Sequence, residues 1–66
     1  MTRILLNGEH EDVVSENIDD LVNTLGLVRE TILIEHNGTA LLRSEWLHTS
    51  LTSGDQIEIL RVAAGG

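Results

Sequence analysis

The sequence predicts an α+β domain in which one helix covers one face of a β-sheet. Three observations predict it. Ile18, Leu21, Val22 and Leu25 fall at i, i+3, i+4 and i+7, the spacing of one helix face and the clearest periodicity in the chain. Asn7-Gly8 and Asn37-Gly38 each separate two short segments. Asn-Gly is the strongest short-range hairpin signal, because both residues tolerate the positive φ of a type I′ turn. The stretch Gln56 to Val62 alternates, with Ile57 and Ile59 on one face and Glu58, Leu60 and Val62 on the other.

Taken in order, Arg3 to Leu6 forms the first strand and Glu9 to Val14 returns, short and solvated. The first strand offers two faces, Ile4 with Leu6 or Leu5 alone, and the pattern does not choose between them. Ser15 or Asn17 caps the helix by accepting a backbone N–H. Asp19 and Asp20 place negative charge in its first turn, against the positive end of the helix dipole. Gly26 stands where a left-handed residue ends a helix. Thr31 to Ile34 is β-branched and apolar, and Ala40 to Arg43 returns after Asn37-Gly38. Ser44 to Leu51 reads as irregular, with Trp46 and Leu47 as packing anchors, Trp46 at the edge of the core. Ser53-Gly54-Asp55 is a further turn. The order is strand, strand, helix, strand, strand, strand. Residues 1–62 are the expected domain and residues 63–66 a flexible tail.

The chain has 66 residues, enough for one domain, and such a chain buries only about 60% of its unfolded surface, so the core is small. A formal charge of −7, with arginine as the only strongly basic residue type, argues against nucleic acid, whose phosphates need Lys and Arg. It also favours association with basic partner surfaces. No apolar run approaches the roughly 18 residues of a membrane span. No basic start precedes an apolar stretch, so no signal peptide is expected and the cytosol is the expected compartment. Without cysteine there is no disulfide, thiolate nucleophile or sulfur ligand.

His10, His36 and His48 fit no metal-ligand spacing and read as scattered surface histidines. The pairs Glu11-Asp12 and Asp19-Asp20 do not form acid–base dyads, since neighbours on a strand or helix point apart. No Gly-rich loop opens a helix, and a domain this small lacks walls for a deep pocket. An independent enzyme is therefore not expected.

Gly65-Gly66 is the remaining feature. A carboxylate is a poor electrophile and must be activated, for example as an acyl-adenylate, before a sulfur or amine nucleophile attacks it. An activating enzyme has to admit the carboxylate to an enclosed site beside ATP, and glycine suits that path because it lacks Cβ. Ala63, Ala64, Gly65 and Gly66 extend at most about 13–14 Å, enough to enter a cleft while the domain docks outside.

Over essentially its whole length the chain resembles the ThiS family, small sulfur carriers of thiamine biosynthesis with the ubiquitin-like β-grasp fold. The resemblance rests on Ile4-Leu5-Leu6-Asn7-Gly8, Leu21, Val22 and Leu25, Glu35-His36-Asn37-Gly38, and Arg43-Ser44-Glu45-Trp46. It continues through Leu51, Gly54-Asp55-Gln56-Ile57-Glu58-Ile59 and Gly65-Gly66. It implies a mixed sheet of four to five strands on one main helix. It also implies that a ThiF-like enzyme adenylates the Gly66 carboxylate with ATP and magnesium, which belong to that enzyme and are not cofactors of this chain. Sulfur then converts the adenylate to a thiocarboxylate, and a ThiG-like thiazole synthase accepts the sulfur. The protein is then a co-substrate and not a catalyst. The expected partner-binding residues are Gly65, Ala64, Ala63, Val62, Leu60 and Leu33. If Ile57 and Ile59 face the helix, Leu60 and Val62 lie open for docking beside the tail; the alternative is that they close a second, minor core. The rival functions are a carrier for molybdopterin or another sulfur-transfer pathway, a ubiquitin-like modifier joined through Gly66, and a non-covalent adaptor.

Overall fold

The computed structural model describes residues 1–62; the expected tail, residues 63–66, lies outside them. Strand β1 (Thr2–Leu6) turns at Asn7-Gly8 into β2 (Glu9–Val13), helix α1 spans Ile18–Thr24, and a 3-10 turn covers Arg29–Thr31. Strand β3 (Ile32–His36) turns at Asn37-Gly38 into β4 (Thr39–Leu41). A four-residue helix α2 (Arg43–Trp46) follows, and β5 (Gln56–Arg61) ends the sheet. The strand order is β2-β1-β5-β3-β4. β5 lies parallel to β1 and antiparallel to β3, so the last strand occupies the centre. This mixed five-stranded sheet on one main helix is the ubiquitin-like β-grasp fold. No helix among the described residues is long and apolar enough to cross a membrane.

Alternation along the strands builds the core. Ile4, Ile32, Ile34 and Ile57 turn to the helix side, where they bury with Ile18, Leu21, Val22 and Trp46. The two-faced first strand is resolved: Ile4 is buried and Leu6 packs against the core, while Leu5 goes to the opposite face. Asn17 caps α1, its side chain accepting from the Asp20 N–H at 2.8 Å. Gly26 takes a φ of +70°, the expected left-handed end.

Both Asn-Gly turns form, with Asn7 and Asn37 at φ values of 48° and 51°. Each asparagine also reaches the central strand. Asn7 Oδ1 accepts from the Ile59 N–H at 2.7 Å, and Asn37 Oδ1 from the Gln56 N–H at 2.8 Å. The two hairpins are thereby fastened to β5 from opposite sides.

Several expectations are corrected. Ser44 to Leu51 is irregular only from Leu47 onward, because α2 starts at Arg43 and takes in Ser44 to Trp46, and that truncates the returning strand at Leu41. Thr31 belongs to the 3-10 turn and not to a strand. Leu47 is not an anchor: it is 59% exposed, while its neighbour Trp46 is 1% exposed and central to the core. Consecutive residues on a helix point about 100° apart, so the two cannot share a burial site. Leu25, the C-cap of α1, is exposed rather than buried with the rest of the helix face.

The Arg43-x-x-Trp46 motif proves architectural. Arg43 donates from Nε to the Arg29 carbonyl at 3.0 Å and from Nη2 to the Glu30 carbonyl at 3.2 Å, pinning the 3-10 turn. Arg29 in turn pairs with Asp19 on α1, and its guanidinium lies over the Trp46 ring at 5.0 Å.

Candidate functional site

Two places on the molecule bring polar or apolar side chains together in a way the core does not require. The first is the junction of the Asn37-Gly38 turn with the start of β5. Asp55 is buried there and accepts from His36 Nε2 at 2.9 Å, Asn37 Nδ2 at 3.1 Å and the Thr52 N–H at 2.8 Å. Burial opposes charge on this carboxyl, but the hydrogen bonds from His36, Thr52 and Asn37 prevail and hold it below the usual carboxylate range. His36 is therefore no surface histidine, as the sequence had suggested; it is half-buried on the helix side of β3. His10 and His48 lie on other elements, and no cluster of three potential metal ligands occurs among the described residues.

This cluster is a clasp, closing the loop before β5 onto the second hairpin. Because the folded pKa of Asp55 is lowered, its stabilisation is full above the unfolded carboxyl value, about 3.9, and is lost as pH falls through the lower folded value. Replacing Asp55 by Ala is expected to cost about 1–3 kcal/mol at neutral pH by stranding its donors. It should also flatten the acid limb of the stability curve. Chemical denaturation of both proteins across that acid range measures this.

The second place is the face of the sheet turned away from α1. Leu33 on β3 and Leu60 on β5 are direct cross-strand partners there. They are 51% and 47% exposed, and Val62, two residues beyond Leu60 on the same face, is 39% exposed. The Val62 N–H donates to the Thr31 carbonyl at 2.9 Å, so sheet pairing continues to the last described residue. Ile57 is buried and Ile59 packs against the core, so the condition for an outward Leu60 and Val62 is met and no second core covers them. Among the residues predicted to bind partners, the structure thus brings Leu33, Leu60 and Val62 together. Ala63, Ala64, Gly65 and Gly66 lie outside the described residues.

The sequence reading missed Leu5, which joins this outer face, and the pairing of Glu35 with Glu58 beside the leucines. Period-2 alternation could have placed each on the face; only the register between strands shows which are neighbours. A hollow of about 530 Å3 opens near Arg3, Leu5, His10 and Gln56, at the end of the sheet remote from Val62. A second, of about 250 Å3, lies at the Val62 end among Leu6, Leu25, Leu27, Ile59 and Arg61.

Comparison with known proteins agrees with this architecture. The ThiS family profile matches residues 4–66. The crystal structure of a thiamine biosynthesis protein (ThiS) from Geobacter metallireducens superposes with a TM-score of 0.84 at 29% identity, covering 98% of this chain and 100% of that one. A solution structure of a thiamine biosynthesis protein from the same organism gives a TM-score of 0.78 at 26% identity, covering 98% and 88%. No curated protein matches. The match over nearly the whole length, on a β-grasp sheet with β5 at its centre, places the chain in the ThiS family, the sulfur carriers of thiamine biosynthesis.

Proposed function

We propose that this protein carries sulfur as a thiocarboxylate on Gly66. A ThiF-like enzyme, using ATP and magnesium, joins the Gly66 carboxylate to AMP and releases pyrophosphate. A sulfur nucleophile then attacks the acyl carbon and AMP leaves, so one carboxylate oxygen is replaced by sulfur. A ThiG-like thiazole synthase takes that sulfur, and the carboxylate returns for another cycle. The folded body contributes recognition: Leu33, Leu60 and Val62 form the docking patch, and Ala63, Ala64 and Gly65 span the distance from that patch to the enzyme's reaction centre. The observation that carries the reading is the position of the exposed leucine pair. It sits on the strand pair that leads directly to the chain's last residues, in a member of the ThiS family.

Intact-mass spectrometry tests it. Protein recovered from its native cell, or incubated with its adenylating enzyme, ATP and a sulfur donor, is expected to gain the mass difference of sulfur over oxygen, confined to the C-terminal peptide. Recovery of Gly66 in branched peptides on target lysines, with no sulfur-bearing form, would overturn the carrier reading in favour of a protein modifier.

A further inference from the structure

The outer face holds one arrangement that stability does not account for. Glu35 and Glu58 are direct partners across β3 and β5. Like charges in that position destabilise a sheet. Among the described residues the ion pairs are Arg29 with Asp19 and His36 with Asp55, so neither glutamate has a cation. Arg29 and Arg43 are held at the 3-10 turn by Trp46, Asp19 and backbone carbonyls. Arg3 stands across from Asp12 on the β1–β2 side of the sheet. The rung next to the two glutamates is the exposed Leu33–Leu60 pair. One sheet face thus presents an apolar rung and a doubly acidic rung side by side, with Val62, the last described residue, just beyond the apolar one.

Resting on the docking role proposed above for Leu33 and Leu60, we propose that this face is complementary to a partner surface presenting an apolar side chain next to an arginine or lysine. The cation seats between Glu35 and Glu58. An arginine fits best, because its planar fork can donate to two carboxylates at once. The partner is the adenylating enzyme, and binding relieves the repulsion that the free carrier retains. The two rungs differ in character, so they also set direction: the apolar contact must fall on the side nearer Val62, which aims the tail into the enzyme. Charge here acts on encounter and orientation, and its contribution falls with ionic strength.

The test uses full-length protein with its adenylating enzyme in ATP–pyrophosphate exchange, comparing wild type, Glu35→Gln, Glu58→Gln and the double variant. On the solvated strand β2, Glu11→Gln is the control of equal charge change for the single variants, and Glu9→Gln with Glu11→Gln the control for the double one. The double variant is expected to melt no lower than wild type, since a repulsive pair has been removed. Its KM for the carrier should rise about five- to tenfold with kcat unchanged, and its KM should lose most of the salt dependence seen in wild type. Neither control should change either quantity. A double variant with wild-type KM and salt dependence would overturn the proposal while leaving the carrier role intact. A loss equal to that of the Glu9→Gln, Glu11→Gln control would reduce it to net charge alone and overturn it too. Wild-type protein that supports no exchange would instead bring down the carrier reading, and this proposal with it.

Discussion

Trp46→Ala is expected to remove roughly half or more of the folding free energy of the domain. Among the described residues Trp46 is the largest fully buried side chain, in a cluster of only eight buried hydrophobic residues. Removing a buried aromatic to Ala costs about 3–5 kcal/mol, and a domain of this length has a total stability of roughly 3–10 kcal/mol. The loss extends beyond the cavity. The Arg29 guanidinium loses the ring beneath it, which loosens the 3-10 turn that Arg43 also holds. Trp46→Phe separates packing from the rest. It keeps a ring for Arg29 and removes the indole N–H, which is buried and has no partner among the described residues. Relief of that unpaired donor offsets part of the lost volume, so the Phe variant should stay folded with a smaller loss. Guanidinium titrations followed by circular dichroism measure both; a Trp46→Ala protein of wild-type stability would refute the role given to this residue.

Deletion of Gly66 is expected to abolish adenylation without disturbing the fold. The shortened chain still ends in a glycine carboxylate, but the reacting group falls short by one residue, about 3.3–3.6 Å. A misplacement of about 1 Å costs about a hundredfold in a positioned reaction, so exchange should drop by at least that factor. Among the described residues sheet pairing runs through Val62 and the core cluster lies before it, so the melting temperature should not move. A full-length protein amidated at Gly66 restores the reach without the carboxylate and should be equally inactive. Normal exchange by either protein would refute Gly66 as the reacting residue.

Much of this architecture was legible from local chemistry. Asn7-Gly8 and Asn37-Gly38 announce their turns because few other pairs accept two positive φ values in succession. Helix α1 shows itself through Ile18, Leu21 and Val22, all buried as the spacing requires. The outward turn of Leu60 and Val62 follows from alternation once Ile57 is assigned to the core. What escaped has a common cause. Helix α2 is four residues long, too short to display a period, and Arg43 at its start is held by carbonyls of a segment 13 to 14 residues earlier. His36 reads as a surface residue because Asp55, its partner, lies 19 positions away. The Glu35–Glu58 pair is likewise a fact of register, which no local pattern encodes.

Placing the chain's final strand in the middle of the sheet has a mechanical consequence. In the proposed cycle, the enzyme that draws the terminus into its active site pulls along the axis of β5. That strand is laced to β1 on one flank and β3 on the other, and stitched further by the Asn7 and Asn37 side chains. A tug of this kind loads many bonds together in shear and does not peel them open one at a time. A body held in this way can be hauled tight against a partner, and released, without unravelling from its final strand.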